Sequence, residues 1–186
     1  LMNQTHSNKV IEINKNNYQK KINSDAIITR VKGLALGVVT ADCVPVIIYD
    51  LKNEIVGCIH VGWKGAISEI IKNTIKKIKR LSPNNNFVAS IGPCIGKKSY
   101  EVDLSFYKKF LIKSKKNKKY FSNKTKNKKL FDLRNYVANK LIELNVSVDH
   151  VNRDTFKEKT NFFSYRRSCK LKQNDYGRCM SVIRLI

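Results

Sequence analysis

The 186-residue chain has only three histidines, one tryptophan and three prolines. It contains no apolar run long enough to cross a bilayer as a helix. A basic-then-apolar leader is also missing, so nothing points to secretion and the expectation is a cytoplasmic protein without a membrane partner. The five cysteines, Cys43, Cys58, Cys94, Cys169 and Cys179, are an odd number and never take CxxC spacing. That argues against a disulfide framework and against a compact zinc finger. Acidic residues are scarce as well, 14 against 37 basic, giving a net charge of +23.

Such a charge invites a nucleic-acid reading. Yet only eight of the basic residues are arginine, and lysine is accompanied by abundant asparagine and isoleucine. Those three residue types share A/T-rich codons, so a biased genome accounts for the composition. Nucleic-acid readers rely more on arginine forks and exposed aromatics. A basic, non-enzymatic binding domain is therefore the weaker alternative.

With 42% apolar residues, one domain with a real core is expected over residues 1–186. Strand-like runs occur at "DAIITRVK", "LALGVV", "VPVIIYD", "IVGCIHV", "FVAS" and "RCMSVIRLI". Short connections such as "TADC" and "LKNE" suggest a hairpin-rich sheet. Ile67, Ile70, Ile71, Ile75 and Ile78 recur at helical spacing and predict one amphipathic helix over 66–80, ended by "SPNNN". "YEVDLSFYKKFLIK" begins a second helix. "LFDLRNYVANKLIELNV" reads as a third, with Leu133, Val137, Leu141 and Leu144 on one face. Between them, residues 113–129 are lysine-dense and read as a mobile, solvated loop. No internal repeat or linker is visible.

Two of the histidines, His6 in "NQTHSNKV" and His60 in "HVGWKGA", stand at the edge of β-branched runs, and Cys43 holds a comparable place in "TADC". Two imidazoles and a thiolate form a borderline-soft set that leaves a tetrahedral Zn²⁺ one open position for water. Water there has its pKa lowered to about 7. The gaps between the three are wide, and from spacing alone each also reads as an ordinary structural residue. Gly62 and Gly65 allow close backbone approach just before a helix start, where Lys64 would favour an anion such as phosphate. In "FFSYRRS", Arg166 and Arg167 are adjacent, so in an extended segment only one reaches a given phosphate. His150 reads as a surface residue.

Taken in order, "NQTHSNKV", "DAIITRVKGLALGVVTADCVPVIIYD", "VGCIHVGWKGA", "IGPCIGKKSYEVD" and "FFSYRRS…GRCMSVIRLI" closely resemble the YfiH family. Its members have been labelled laccase-domain or polyphenol oxidase proteins and, later, purine nucleoside phosphorylases. The resemblance runs from the first residues to the last. It implies a single-domain layered α/β sandwich with mixed sheets, and a metal, zinc or alternatively copper, on His6, Cys43 and His60. It further implies phosphorolysis of adenosine, inosine, guanosine and S-methyl-5′-thioadenosine, together with adenosine deamination. In that chemistry Asp42 would be a proton shuttle, and Lys64, Arg166 or Arg167 would hold phosphate. A copper polyphenol oxidase is the rival enzyme reading, although three histidines fall far short of a multicopper set. The sequence departs from the family pattern at Lys64, where the family has Arg, and at Ser168, where it commonly has Asp. It also opens almost on the Q-x-H motif, and with Leu1 at its head it reads as a shortened chain.

Overall fold

The computed structural model describes residues 1–82 and 84–186. Five strands come first: β1 (Val10–Glu12), β2 (Ala26–Thr29), β3 (Leu36–Thr40), β4 (Val44–Asp50) and β5 (Ile55–Val61). Helices α1 (Trp63–Ile67) and α2 (Ile70–Leu81) then lead to β6 (Phe87–Ile91), β7 (Glu101–Asp103) and α3 (Leu104–Lys113). A 3₁₀ segment, Lys115–Tyr120, precedes β8 (Phe121–Thr125), β9 (Lys128–Phe131), α4 (Leu133–Ile142) and β10 (Val146–His150). Helix α5 (Tyr165–Lys170) and β11 (Cys179–Ile183) complete the chain.

The main sheet has the order β1-β2-β5-β4-β6-β10, with its outermost pairs parallel and the rest antiparallel. One face carries the isoleucine stripe of α2, Ile70, Ile71, Ile75 and Ile78, beside Leu133, Val137 and Leu141 of α4. The other is covered by the antiparallel β3–β11 ribbon, whose Leu36 and Val38 meet Ile27, Val56 and Cys58. Covered on both sides, β5 is buried at every residue. This is why it reads as an unbroken apolar run rather than as an alternating strand. Each fully buried isoleucine contributes about 1.5–3 kcal/mol of transfer free energy. The fold is thus α/β with mixed sheets layered against helices, as the sequence implies.

Several local expectations are revised. The helix expected over 66–80 is two helices, because Glu69 turns left-handed at φ 66°. The break follows from competition for the carbonyls of α1: the Ser68 hydroxyl donates to Lys64 O at 2.8 Å, and the Asn8 amide to Ser68 O at 3.0 Å. Of the turn expected at "SPNNN", Pro83 lies outside the described residues. "EVD" forms a strand before α3, and the third helix stops at Ile142, with Asn145 at φ 62° turning the chain into β10. Consecutive β3 and β4 lie in different sheets, so "TADC" is a crossover rather than a hairpin turn. "YRRS" is helical, not extended, and starts at a Ser164 cap that accepts from Arg167 N at 3.1 Å.

The largest revision concerns residues 113–129. The expected lysine-rich loop is instead built of the end of α3, the 3₁₀ segment and the β8–β9 hairpin of a three-stranded sheet, β7-β9-β8. Its lysines point outward, while Tyr120, Phe121 and Phe131 turn inward toward Phe110 and Tyr136. Phe121 and Phe131 stack with centroids 4.6 Å apart, and Phe110 lies 4.7 Å from Phe131.

Candidate metal centre

His60 is the penultimate residue of β5, paired across from Pro45. The central strand therefore fixes its backbone, and its side chain is 4% exposed. Cys43 sits in the "TADC" crossover immediately before β4. His6 rides on the N-terminal arm, exposed, with φ 57°, and Asp42 beside Cys43 has φ 83°. Left-handed backbone at two non-glycine residues of one small region is the kind of local strain that functional sites hold. The topology brings the three donor atoms within 4.8 Å of one another, with Cys43 Sγ to His6 Nε2 at 4.0 Å. The imidazole rings meet edge-on, centroids 4.8 Å apart. Tetrahedral zinc spaces such donors about 3.3–3.6 Å apart, so the set is slightly open relative to that geometry.

Gly62 is required here for space. A Cβ on it would stand 3.0 Å from His6 Cδ2 and 3.1 Å from Cys43 Sγ. Gly65 lets α1 pass beneath the arm, since a Cβ there would come 3.3 Å from Ser7 O.

Behind the donors lies Asp25, fully buried. Its Oδ1 accepts from His60 Nδ1 at 2.7 Å and from His6 N at 3.0 Å. Its Oδ2 accepts from Ser7 N at 2.6 Å, Ser7 Oγ at 2.7 Å, and Thr5 N and Oγ1 at 3.2 Å. One carboxylate therefore fixes the proton of His60 on Nδ1, leaving Nε2 as a lone pair facing the cluster, and clamps the arm that carries His6. Burial alone would raise the Asp25 pKa. The hydrogen bonds from His60 and Ser7 outweigh it and hold the carboxyl well below the usual range.

Burial, then the charges of His60 and Lys64, lower the pKa of His6, which keeps its imidazole neutral and able to coordinate. Burial, followed by the carboxylate of Asp42, pushes the Cys43 thiol up to about 12. Only a cation placed among the donors would draw off that proton. Two imidazoles and one ionisable thiol, backed by a carboxylate, fit a divalent ion of the zinc or copper type with a position left open.

The other predicted residues are placed differently. Asp42 offers no free oxygen to the cluster: Oδ1 accepts from Thr155 Oγ1 at 2.8 Å, and Oδ2 from Ser164 Oγ at 2.9 Å and Arg166 N at 2.6 Å. Its carboxylate ties the crossover to the start of α5. Arg166 donates to Glu101 O at 2.8 Å and lies over the Tyr100 ring. The Arg167 guanidinium donates to the carbonyls of Thr155, Phe156 and Phe162. Both arginines brace loops with backbone oxygens, and neither lines the cavity above the donors. Lys64 is exposed on α1, close enough for its charge to act on His6. His150 is exposed at the end of β10.

Sequence reasoning missed Asp25, and also Tyr176 and Arg178, which wall the cavity of about 340 Å³ that opens on His6, Cys43 and His60. The one available signal for Asp25 was a carboxylate heading the uninterrupted apolar run "AII", a place where a buried charge needs a partner. A larger cavity, about 420 Å³ between α2, α3 and α4, contains none of the donors.

A family model described as multi-copper polyphenol oxidoreductase laccase matches residues 1–186. A purine nucleoside phosphorylase of Rickettsia conorii is 38% identical over 175 residues, covering 93% of this chain and 72% of the relative. A purine nucleoside phosphorylase of Haemophilus influenzae is 31% identical over 186 residues, covering 98% and 72%. Among solved structures, the hypothetical protein YfiH of Bacillus licheniformis superposes with a TM-score of 0.90 at 27% identity, over 100% of this chain and 73% of that one. A Neisseria meningitidis protein gives 0.86 at 28% identity, over 99% and 73%. The motifs that hold the donors, the fold that gathers them and a match spanning residues 1–186 agree, and the chain belongs to the YfiH family of laccase-like proteins.

Proposed function

We propose that the protein is a metal-dependent purine nucleoside phosphorylase, acting on adenosine, inosine, guanosine and S-methyl-5′-thioadenosine, with adenosine deaminase activity at the same site. The observation that carries the reading is the convergence of His6, Cys43 and His60 at the floor of one cavity. The purine nucleoside phosphorylase names of relatives at 38% and 31% identity support it.

His6, Cys43 and His60 would hold the ion, zinc in the first instance and copper as the alternative. Bound there, it would supply Lewis acidity and an activated water at neutral pH. The protein's own groups do the rest. Asp25 sets the tautomer of His60 and the seat of His6. Lys64 supplies positive charge at the start of α1, where phosphate is attracted. Asp42, Arg166 and Arg167 keep the crossover and α5 in register around the cavity, which is the role their hydrogen bonds support.

Incubation of the purified protein with adenosine and phosphate is expected to yield adenine, hypoxanthine and ribose-1-phosphate. Absence of all three, with metal bound and the fold intact, refutes the reading. The copper polyphenol oxidase reading draws on the two-imidazole, one-thiol donor set, which matches a trigonal blue-copper centre. It requires intense thiolate-to-copper absorption in the copper-loaded protein, and a colourless copper form would eliminate it.

A further inference from the structure

We propose that Arg178 is a phosphate-binding residue on the wall of the metal cavity, beyond the charge of Lys64, with Tyr176 as the residue that positions it.

The placement follows from register. β11 begins at Cys179, which pairs with Thr40 at the end of β3. Residue 178 is therefore delivered beside Ala41, where the crossover to Cys43 begins. Arg178 and Tyr176 line the same cavity as His6, Cys43 and His60. The Arg178 guanidinium lies over the Tyr176 ring at 4.8 Å, and Tyr176 in turn rests against Tyr165 at 5.1 Å. A flat cation on an aromatic face is held without using up its hydrogen-bond donors. Between the two, Gly177 passes so close to Phe163 that any side chain on it would overlap the ring. The turn runs close against Phe163, and Arg178, itself exposed, is oriented by its contact with the Tyr176 ring.

The hydrogen-bonding state separates this arginine from the two that the sequence nominated. Arg166 and Arg167 give their guanidinium donors to backbone carbonyls. Arg178 has, among the described residues, neither a carboxylate nor a carbonyl partner; its nearest polar contact is the Tyr176 hydroxyl at 3.5 Å, too long to count. Among the described residues no Asp or Glu lines the cavity, and Arg178 is the one Lys or Arg on its wall. A free guanidinium fork above a metal-ligand set selects an anion with paired oxygens. That the anion is the phosphate co-substrate rests on the phosphorylase reading; the anion site itself rests on this geometry alone.

The test is calorimetric titration of inorganic phosphate into the native protein, Arg178→Gln, Arg178→Lys and Tyr176→Phe, each with its metal content measured. Steady-state KM values for phosphate and for nucleoside are taken in parallel. Arg178→Gln is expected to weaken phosphate at least about tenfold, with the nucleoside KM within about twofold. Arg178→Lys should fall between, keeping charge without the fork, and Tyr176→Phe should match the native protein because the ring, not the hydroxyl, is used. Unchanged phosphate affinity in folded, metal-replete Arg178→Gln overturns the proposal. Weakened phosphate binding in a protein that phosphorolyses no purine nucleoside upholds the anion site and removes the phosphorylase reading instead.

Discussion

Replacing Asp25 by asparagine changes one atom and should cripple metal binding while leaving the fold in place. The new amide nitrogen must take the position of Oδ1 or Oδ2. At Oδ2 it would face the backbone N–H groups of Thr5 and Ser7, which cannot turn away. At Oδ1 it faces His6 N and His60 Nδ1. His60 can answer by changing tautomer, accepting at Nδ1 and moving its proton to Nε2, so the second arrangement prevails. One backbone N–H, that of His6, is then left unsatisfied, at a cost of about 1–3 kcal/mol. The larger consequence is chemical: Nε2 now carries a proton where a lone pair is needed. Loss of such a supporting carboxylate weakens metal binding about 10–100-fold, and the tautomer switch puts the expectation at the upper end. Competition with a chromophoric zinc chelator measures the affinity, and ¹⁵N shifts of the His60 ring report the tautomer. Zinc affinity within about threefold of native in a folded Asp25→Asn protein would refute the reasoning, since it would place the source of His60 orientation elsewhere.

Gly62→Ala is expected to reduce zinc affinity at least about tenfold by pushing His6 and Cys43 apart, because its Cβ would lie 3.0 and 3.1 Å from them; native affinity by the same competition assay would contradict this. Phe131→Ala, removing a fully buried ring stacked on Phe121, should cost about 3–5 kcal/mol in urea unfolding, and a loss under about 1 kcal/mol would mean the aromatic cluster is not a true core. Asp50 is buried, which opposes its ionisation, but hydrogen bonds from Asn86 N and the Asn53 and Asn85 amides prevail and hold its pKa below the ordinary carboxylate value. Its stabilisation is therefore complete above the unfolded pKa of about 3.9 and drains away as pH falls below it. Asp50→Asn should be less stable at pH 7 by about 1–3 kcal/mol and show a shallower acid loss; parallel urea melts at pH 7 and pH 3 with equal slopes would rule this out.

What the sequence disclosed, and what it hid, divides along the distance over which partners act. The apolar runs of β2 to β5 and the isoleucine stripe of α2 announce themselves because burial acts on each residue locally. His6, Cys43 and His60 were legible only through the order of motifs that resembles the family, since gaps of 37 and 17 residues carry no periodic signal. Asp25 escaped because its partners lie 18–20 residues before it and 35 after it, so nothing nearby marks it as a clamp. Arg178 heads the closing run "RCMSVIRLI", where it reads as the polar first residue of a strand. Arg166 and Arg167, conspicuous as a basic pair, turned out to satisfy carbonyls. The β8–β9 hairpin was hidden by its own surface: the lysines, asparagines and threonine on its outward positions swamp the few inward aromatics that define the strands. The break at Glu69 has no proline or glycine at it as a signal; its competing donors are the Ser68 hydroxyl and an asparagine from the distant N-terminal arm.

The three donors are anchored very unequally. His60 belongs to the strand covered on both faces, the part of a domain that opens last, while His6 sits on an exposed arm held by single hydrogen-bonded contacts, chiefly to Asp25 and through Gln4 to Val39. Ion exchange can therefore proceed by the arm lifting like a latch, with the scaffold closed and two donors still in hand. Amide hydrogens of residues 6 and 7 should exchange with solvent far sooner than that of His60, and loading with metal should slow the first pair while leaving the last unmoved.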